Sequence, residues 1–361
     1  MERKDSAPNS RGLTSSDWPE AGAFELHVFR VEEGLGNACA LRMPDGSWGV
    51  VDWGTESDEP LSTLLDLVGP EGFRFIGASH AHEDHTLGLP KLLELCVSRE
   101  LPVDWLFYPA TTLPKPDSPL TRARVYAKKH KIRDTVVGVR IRPPAAPEPD
   151  LIAYEEEGDW AVVILAPDDA AVAAQEVAAL ERDEVAGNAT SLVILAYFAE
   201  TAVPPGLGRL VLPGDATRFT LGSARRMANY HSQLVLHNQA FLVPHHGSKA
   251  NLPDWLGQYL HGVALVSGRT NSDHHPADSV LEQLRHESLE IFCTSYARCC
   301  RQRYGDRAGA GQSHLVRPGP CFGDFVVRVP RSGKATLARS SDDGGSRRTF
   351  GICGAPVMRL R

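Results

Sequence analysis

The chain has 361 residues, 42% of them hydrophobic and 23% charged, with a net charge of −7. That length can bury a full core, as one large or two small domains, and the composition is that of an ordinary globular protein. No apolar run approaches the ~20 residues that a membrane helix requires, and residues 1–21 are polar and proline-containing, unlike a signal peptide. Seven cysteines, an odd number scattered over a long chain, do not read as a secreted disulfide framework. A cytoplasmic location is therefore expected, with no membrane contact.

Residues 1–22, rich in Ser, Pro, Asn, Asp and Gly, read as a flexible leader. Phe24–Val31, Ala38–Met43 and Ser47–Asp52 follow as three strands joined by glycine turns, with Pro44-Asp45-Gly46 marking a hairpin. Leu61–Val68 reads as a short helix. Phe73–Ala78 is an apolar run of strand type, after which Leu87, Leu89, Leu92 and Leu93 set a helical pattern. Val103–Tyr108 is a strand, residues 109–119 a proline-rich loop, and Leu120–Lys131 a helix with a basic C-terminal half. Further strands are expected at Val136–Ile141, Leu151–Tyr154, Trp160–Leu165, Ser191–Phe198 and Arg209–Leu212, and an alanine- and glutamate-rich helix over Asp168–Ala186. Phe241–Val243, Ala264–Ser267 and Glu290–Cys293 alternate with helices over residues 253–260 and 277–287. Strands clustered early and mixed with helices later suit an α/β protein with a four-layer αβ/βα sandwich.

The stretch that carries most chemistry lies between the Phe73–Ala78 strand and its helix. Ser79-His80-Ala81-His82-Glu83-Asp84-His85 places three imidazoles and a carboxylate within six residues. Imidazole and carboxylate are the ligand set for zinc, with manganese or iron as alternatives. His80 and His82, two apart, can project to one side where the strand runs out, and Asp84 and His85 can be aimed back at the same point by the turn into the helix.

His-x-His-x-Asp-His after an apolar strand resembles the signature of the metallo-β-lactamase fold superfamily, and that family's other landmarks follow in order. Trp48-Gly49-Val50-Val51-Asp52-Trp53-Gly54 looks like its first motif. Leu210-Val211-Leu212-Pro213-Gly214-Asp215 looks like its bridging Asp, and Phe241-Leu242-Val243-Pro244-His245-His246-Gly247-Ser248 like its final His motif. The Pro-His-His-Gly-Ser and Gly-Asp forms are similar to the soluble nuclease-like domain of ComEC-type DNA-uptake proteins and their free-standing relatives. Val28 to Cys39 resembles a degenerate version of that branch's glycine-rich first hairpin. The resemblance spans roughly residues 24–295.

The resemblance implies two divalent metal ions, zinc or manganese. His80 and His82 would hold one, Asp84, His85 and His246 the other, and Asp215 would bridge them. Asp84 and His275 are the catalytic candidates, with His275 of Ser272-Asp273-His274-His275-Pro276 protonating a leaving oxygen. The alternative for His275 is capping of the helix that starts near Pro276. Asp52 is expected to support a ligand histidine, with capping of its strand end and direct metal binding as the alternatives. His246, the His before glycine, is favoured as a ligand by analogy, leaving His245 for substrate or packing and Ser248 for phosphate. Many family members complete the first site with a His that falls between the first run and the bridging Asp. Here the one histidine between His85 and Asp215 is His130, in a basic helix. The ComEC-like Asn-x-x-Ser pattern is matched instead by Asn188-Ala189-Thr190-Ser191, so Asn188 is placed beside the metals or a ligand. Cys293, Cys299, Cys300 and Cys321 with His314 fit no standard zinc spacing and read as reduced thiols.

Residues 298–361 hold 13 Lys and Arg against 4 Asp and Glu, so the charge divides into +9 there and −16 on residues 1–297. The expected organisation is the leader at 1–22, a catalytic domain at 23–297, and a basic C-terminal extension at 298–361 that packs on the domain or trails from it. The leading expectation is a metal-dependent phosphodiesterase, a DNA nuclease with DNA as partner and a protein partner in a bacterial multi-gene, defence-type system. A hydrolase of a nucleotide, lactone or thioester, and a non-catalytic metal-binding module, are the alternatives.

Overall fold

The computed structural model describes residues 22–31, 36–109, 116–140, 148–155, 159–168, 188–199, 207–231, 234, 236–267, 275–287, 289–294, 324–331 and 334–339. The elements in chain order are β1 (Ala23–Val28), β2 (Ala38–Arg42), β3 (Trp48–Trp53), α1 (Asp58–Val68), β4 (Phe73–Gly77), α2 (Glu83–Thr86), α3 (Leu89–Ser98), β5 (Trp105–Pro109), α4 (Pro119–Lys129) and β6 (Arg133–Val137). There follow β7 (Val139–Arg140), β8 (Glu148–Pro149), β9 (Leu151–Tyr154), β10 (Trp160–Ala166), β11 (Val193–Phe198), β12 (Arg209–Leu212), α5 (Arg218–Tyr230), β13 (Asn238–Leu242), β14 (Leu260–Val266), α6 (Asp278–His286), β15 (Glu290–Cys293), β16 (Phe325–Pro330) and β17 (Thr336–Arg339).

Two sheets form. The first runs β17-β16-β1-β2-β3-β4-β5-β6 and the second β15-β14-β13-β12-β11-β10-β9. In each, hairpin-linked antiparallel strands give way to parallel ones, β3 to β6 in the first sheet and β12 to β15 in the second. Parallel neighbours need crossovers, and α1, α3, α4, α5 and α6 supply them or cover the faces. β3 and β4 read as continuous apolar runs because both faces of the sheet are covered.

Three layers of core follow from this. Between the sheets, Phe24 meets the rings of Trp160 at 6.0 Å and Phe198 at 5.0 Å, and Phe292 meets Phe325 at 5.9 Å. Outside the first sheet, Leu61, Leu64, Leu65 and Val68 of α1 line up at helical spacing and pack with Leu89, Leu92 and Leu93 of α3. Outside the second, Leu221, Ala224 and Met227 of α5 pack with Val280, Leu281 and Leu284 of α6. The architecture is a four-layer αβ/βα sandwich.

Several local expectations need correcting. The stretch 253–260 forms a 3₁₀ turn, Asp254–Tyr259, instead of an α-helix. The expected strand Val136–Ile141 is broken at Gly138, whose N–H donates to Asp150 Oδ2 (2.9 Å) instead of to a ladder. Helix α5 was not foreseen; Thr217 caps it by accepting from Thr220 N (3.2 Å). Within the stretch expected as a basic extension, β16 pairs with β1 along its whole length, from Ala23 opposite Pro330 to Val28 opposite Phe325. The leader, most of the 168–186 helix, and Cys299, Cys300, Cys321 and His314 lie outside the described residues, while Cys293 is buried on β15.

Candidate metal centre

One rim of the sandwich gathers the C-terminal ends of β3, β4, β12 and β13, the usual place for a ligand site in an α/β sheet. Asp52 sits on β3 with φ +68, a left-handed conformation that Asp tolerates better than most residues. Its Oδ1 accepts from Ser79 N (2.6 Å), and its Oδ2 accepts from Ser79 Oγ (2.7 Å) and from His85 Nδ1 (2.7 Å). The one-turn helix α2 carries Asp84 and His85. The Asp84 carbonyl accepts from Asn37 N (2.9 Å) and lies against the Cα atoms of Gly36 and Gly54, where any side chain would collide with it.

On the second sheet, Gly214 at φ +52 lets the chain turn tightly against Ser79, and Asp215 N donates to Ser191 Oγ (3.1 Å). The Pro244–Gly247 turn then holds three successive residues at positive φ: His245 at +49, His246 at +52 and Gly247 at +84. Such conformations cost on the order of 1–3 kcal/mol for residues with a side chain and persist only where the surroundings impose them. Here His245 N donates to Gly214 O (3.1 Å), Ser248 N to His245 O (2.8 Å) and Ala277 N to Gly247 O (2.9 Å).

Two sets of ligand atoms each lie within 4.8 Å of one another: Asp84, His85, Asp215 and His246, and His80, His82 and Asp84. His80, His85, Asp215 and His246 are buried, and His82 and Asp84 are half-buried. His85 Nε2 lies 3.1 Å from Asp215 Oδ1, His80 Nε2 3.7 Å from Asp215 Oδ2, and His246 Nε2 3.4 Å from Asp84 Oδ2.

The far side of each ring explains what these approaches mean. His85 gives its Nδ1 proton to Asp52, and His246 gives its own to the Ser267 carbonyl (2.8 Å). The Ser79 hydroxyl is committed to Asp52 as donor, so it accepts from His80 Nδ1 (3.2 Å). In its neutral form each ring would turn its Nε2 lone pair toward a carboxylate oxygen. Lone pairs facing one another at such distances repel unless a cation lies between them. Among the described residues, His80 Nε2, His85 Nε2 and both carboxylate oxygens of Asp215 are buried without a hydrogen-bond partner of good geometry. Orphaned imidazole and carboxylate acceptors of this kind fit a divalent metal, whose ligands are neutral imidazole and ionised carboxylate.

The titration behaviour of these groups follows from their burial and their mutual charges. Burial opposes ionisation of Asp215, but His85 and His80 outweigh it and hold the carboxyl well below its usual range. Asp84 is lowered in the same way, against burial, by His85 and His246. Burial, seconded by His85, pushes His80 well below the usual imidazole range, and burial lowers His82. His85 goes the other way: the carboxylates of Asp215, Asp52 and Asp84 overcome burial and hold a proton on the ring. His246 is raised against burial by Asp84 and Asp215. Without a metal, a proton on His85 does the neutralising that an ion would do.

The remaining candidates fall around this cluster. His245 lies with Nε2 3.6 Å from Asp215 Oδ2, and its ring centroid is 5.1 Å from that of His275. The N-cap of α6 is Ala277, so His275 does not cap that helix. Asn188 Nδ2 is 3.4 Å from His245 Nδ1. Ser248 is buried and serves the turn through its backbone, accepting from Asn251 N (3.1 Å). His130 ends α4 stacked on Tyr126, apart from the cluster. Ser79, Ser267 and Asn251 escaped the reading by sequence. Asn251 Nδ2 donates to the carbonyls of Asp215 (3.2 Å) and Ala216 (3.0 Å), and nothing in its local sequence marks it for that task.

No family model matches the chain, and no curated protein matches it. Among solved structures the chain is similar to a diphosphatase from the PhnP family, at 10% identity over 91% of this chain and 99% of that one, with a TM-score of 0.40. It is also similar to the metallo-beta-lactamase fold protein YhfI from Bacillus subtilis, at 13% identity over 75% of this chain and 96% of that one, TM-score 0.38. A long-form RNase Z from yeast overlaps 80% of this chain and 39% of its own length, at 9% identity and a TM-score of 0.37. Overlaps this loose carry no argument, and the chemistry of the centre rests on its own side chains.

Proposed function

We propose that this protein is a metal-dependent hydrolase of phosphodiester bonds, and specifically a DNA nuclease. The observation that carries the reading is the burial of both Asp215 carboxylate oxygens, without a hydrogen-bond partner of good geometry, against Nε2 of His80 and His85 from the rim of the first sheet. A carboxylate so placed has one oxygen for each of two ions. Ions held there supply Lewis acidity and the activation of water at neutral pH. Asp84, His85, Asp215 and His246 form the second-site ligand set, with His80 and His82 serving the first. Asp52 fixes the ring of His85, keeping its Nε2 directed inward. His275, beside His245 at the edge of the cluster, is assigned the protonation of the leaving oxygen. Exposed Lys249 and Arg218, one residue after Ser248 and three after Asp215, supply positive charge for a phosphate backbone.

The charge of −16 on residues 1–297 favours a second reading, hydrolysis of a small phosphate ester that a weaker field can still admit. Both readings are tested together. The purified protein is incubated with linear, circular and single-stranded DNA, and in parallel with a small chromogenic phosphodiester, under Mn²⁺, Mg²⁺ or Zn²⁺. The expected result is metal-dependent DNA cleavage that falls by about 100-fold or more in both Asp84→Ala and His246→Ala. Turnover of the small diester with intact DNA would favour the second reading, and full activity in both variants would overturn the assignment of the centre. A protein partner from a multi-gene system is part of the same proposal, tested by activity gained on adding the neighbouring gene products.

A further inference from the structure

The site described so far is asymmetric. A second ion would have four protein ligands in one tight set, while a first would have His80 and His82 with Asp84 and no third imidazole. We propose that His245 is the missing third imidazole, binding the first ion through Nε2 together with His80, His82 and Asp215. This inference rests on the metal-centre reading above.

The geometry follows the pattern of the other ligands. His245 Nε2 approaches the same carboxylate oxygen, Asp215 Oδ2, that His80 Nε2 approaches, at 3.6 and 3.7 Å. Ligand atoms around one ion stand roughly 3–4 Å apart when each bond is about 2.0–2.2 Å. His245 stands outside the two tight sets and joins them through that shared oxygen.

The ring's orientation is enforced from behind. Asn251 Nδ2 is occupied by two backbone carbonyls, which fixes its amide so that Oδ1 points at His245 Nδ1 (3.2 Å). A carbonyl oxygen accepts only, so Nδ1 carries the proton and Nε2 presents a lone pair to the centre. The same arrangement holds His246 through the Ser267 carbonyl. Asn188 Nδ2 lies farther from the same Nδ1, at 3.4 Å, beyond ordinary hydrogen-bond distance, so Asn251 sets the tautomer.

The backbone supplies the rest. Adjacent residues in an extended strand point to opposite faces, so paired histidines ordinarily cannot serve one cluster. At φ +49 and +52 the chain coils left-handed, and the two rings, 6.2 Å apart, face Asp215 and Asp84 respectively. The strain of two left-handed histidines in succession thus has a use if each ring holds a different ion.

The test is metal binding by the full chain. Protein stripped with chelator is reloaded with Zn²⁺ or Mn²⁺ and its bound metal is measured by mass spectrometry and by titration against a competing chelator. The informative variant is His245→Asn, because Asn accepts a left-handed backbone and removes only the imidazole. The expected result is about two ions per wild-type chain, and one ion retained in His245→Asn with its affinity near the tighter wild-type class. Asn251→Ala, which frees the ring without removing it, is expected to weaken the same site about 10- to 100-fold. Thermal melts of the stripped proteins, within a few degrees of one another, show that both variants fold. Two ions at unchanged affinity in His245→Asn would overturn the inference while leaving the metal centre intact. A wild-type chain that takes up no metal would overturn both.

Discussion

The Ser79 hydroxyl donates to Asp52 and lies 3.2 and 3.3 Å from Nδ1 of His80 and His85, so one small side chain braces two ligand rings. Asp52 completes the brace: its Oδ2 takes both the Ser79 proton and the His85 Nδ1 proton while the residue is only 1% exposed. The substitution that isolates this role is Asp52→Asn. Asn tolerates φ +68 and keeps the shape, but it removes the charge, and one face of its amide donates where Asp52 accepts. Metal affinity is expected to fall about 10- to 100-fold, read by chelator competition, with the fold retained. Unchanged affinity would mean that Asp52 merely caps its strand. That these residues form a cluster was legible in sequence, since three imidazoles and a carboxylate fall within six residues. Their supports were not. Ser79, Asn251 and Ser267 are ordinary polar residues whose task is set by strands that meet only in the folded chain, and the role of His245 hangs on a positive φ that no periodicity reveals.

At the scale of elements, the one-turn helix α2 is too short to hold itself and is held by its neighbours. Asn37 N donates to the Asp84 carbonyl, Gly54 N donates to Asn37 O (2.8 Å), and the two glycines leave room for that carbonyl to approach. In Gly54→Ala the new methyl meets the Asp84 carbonyl, and neither backbone can retreat without breaking these bonds. The expected cost is about 1–3 kcal/mol, or a fall in melting temperature of roughly 2–4 °C per kcal/mol, together with loss of metal from the second site. Retention of metal at wild-type stability would show that α2 is more compliant than its packing indicates. Elements with a strong pattern were legible in the sequence: β4, α1 and α3 carry apolar residues at the right period. Helix α5 was not, because Gly222, two aromatics and three arginines dilute its pattern and its buried face is made of Thr220, Leu221, Ser223, Ala224 and Met227. Its N-cap at Thr217, two residues past Asp215, ties that carboxylate to a packed helix.

At the scale of the molecule, β1 is the seam. It pairs on one side with β2 and on the other with β16, from a segment about 300 residues later, so the first sheet closes through strands far apart in sequence. In that segment of excess positive charge, Arg328 sits among Phe325, Val327 and Val329, which are buried between the sheets. Burying those three side chains contributes about 1.5–3 kcal/mol each, against the ~5–15 kcal/mol that separates folded from unfolded in a typical domain. A chain ending at residue 323 would also leave β1 as an open edge, exposing its unpaired backbone groups to other chains. We expect that truncation to aggregate or to lose cooperative melting and metal binding together, measured by size exclusion, circular dichroism and metal content. Because truncation removes the rest of the tail as well, Val327→Asp in the full-length chain is the sharper probe: it sets one carboxylate between the sheets and leaves every other residue in place. The same collapse in both would make β16 part of the catalytic domain's core. A soluble, metal-binding Val327→Asp protein would mean that the sandwich stands without it, and that the C-terminal segment is an attachment.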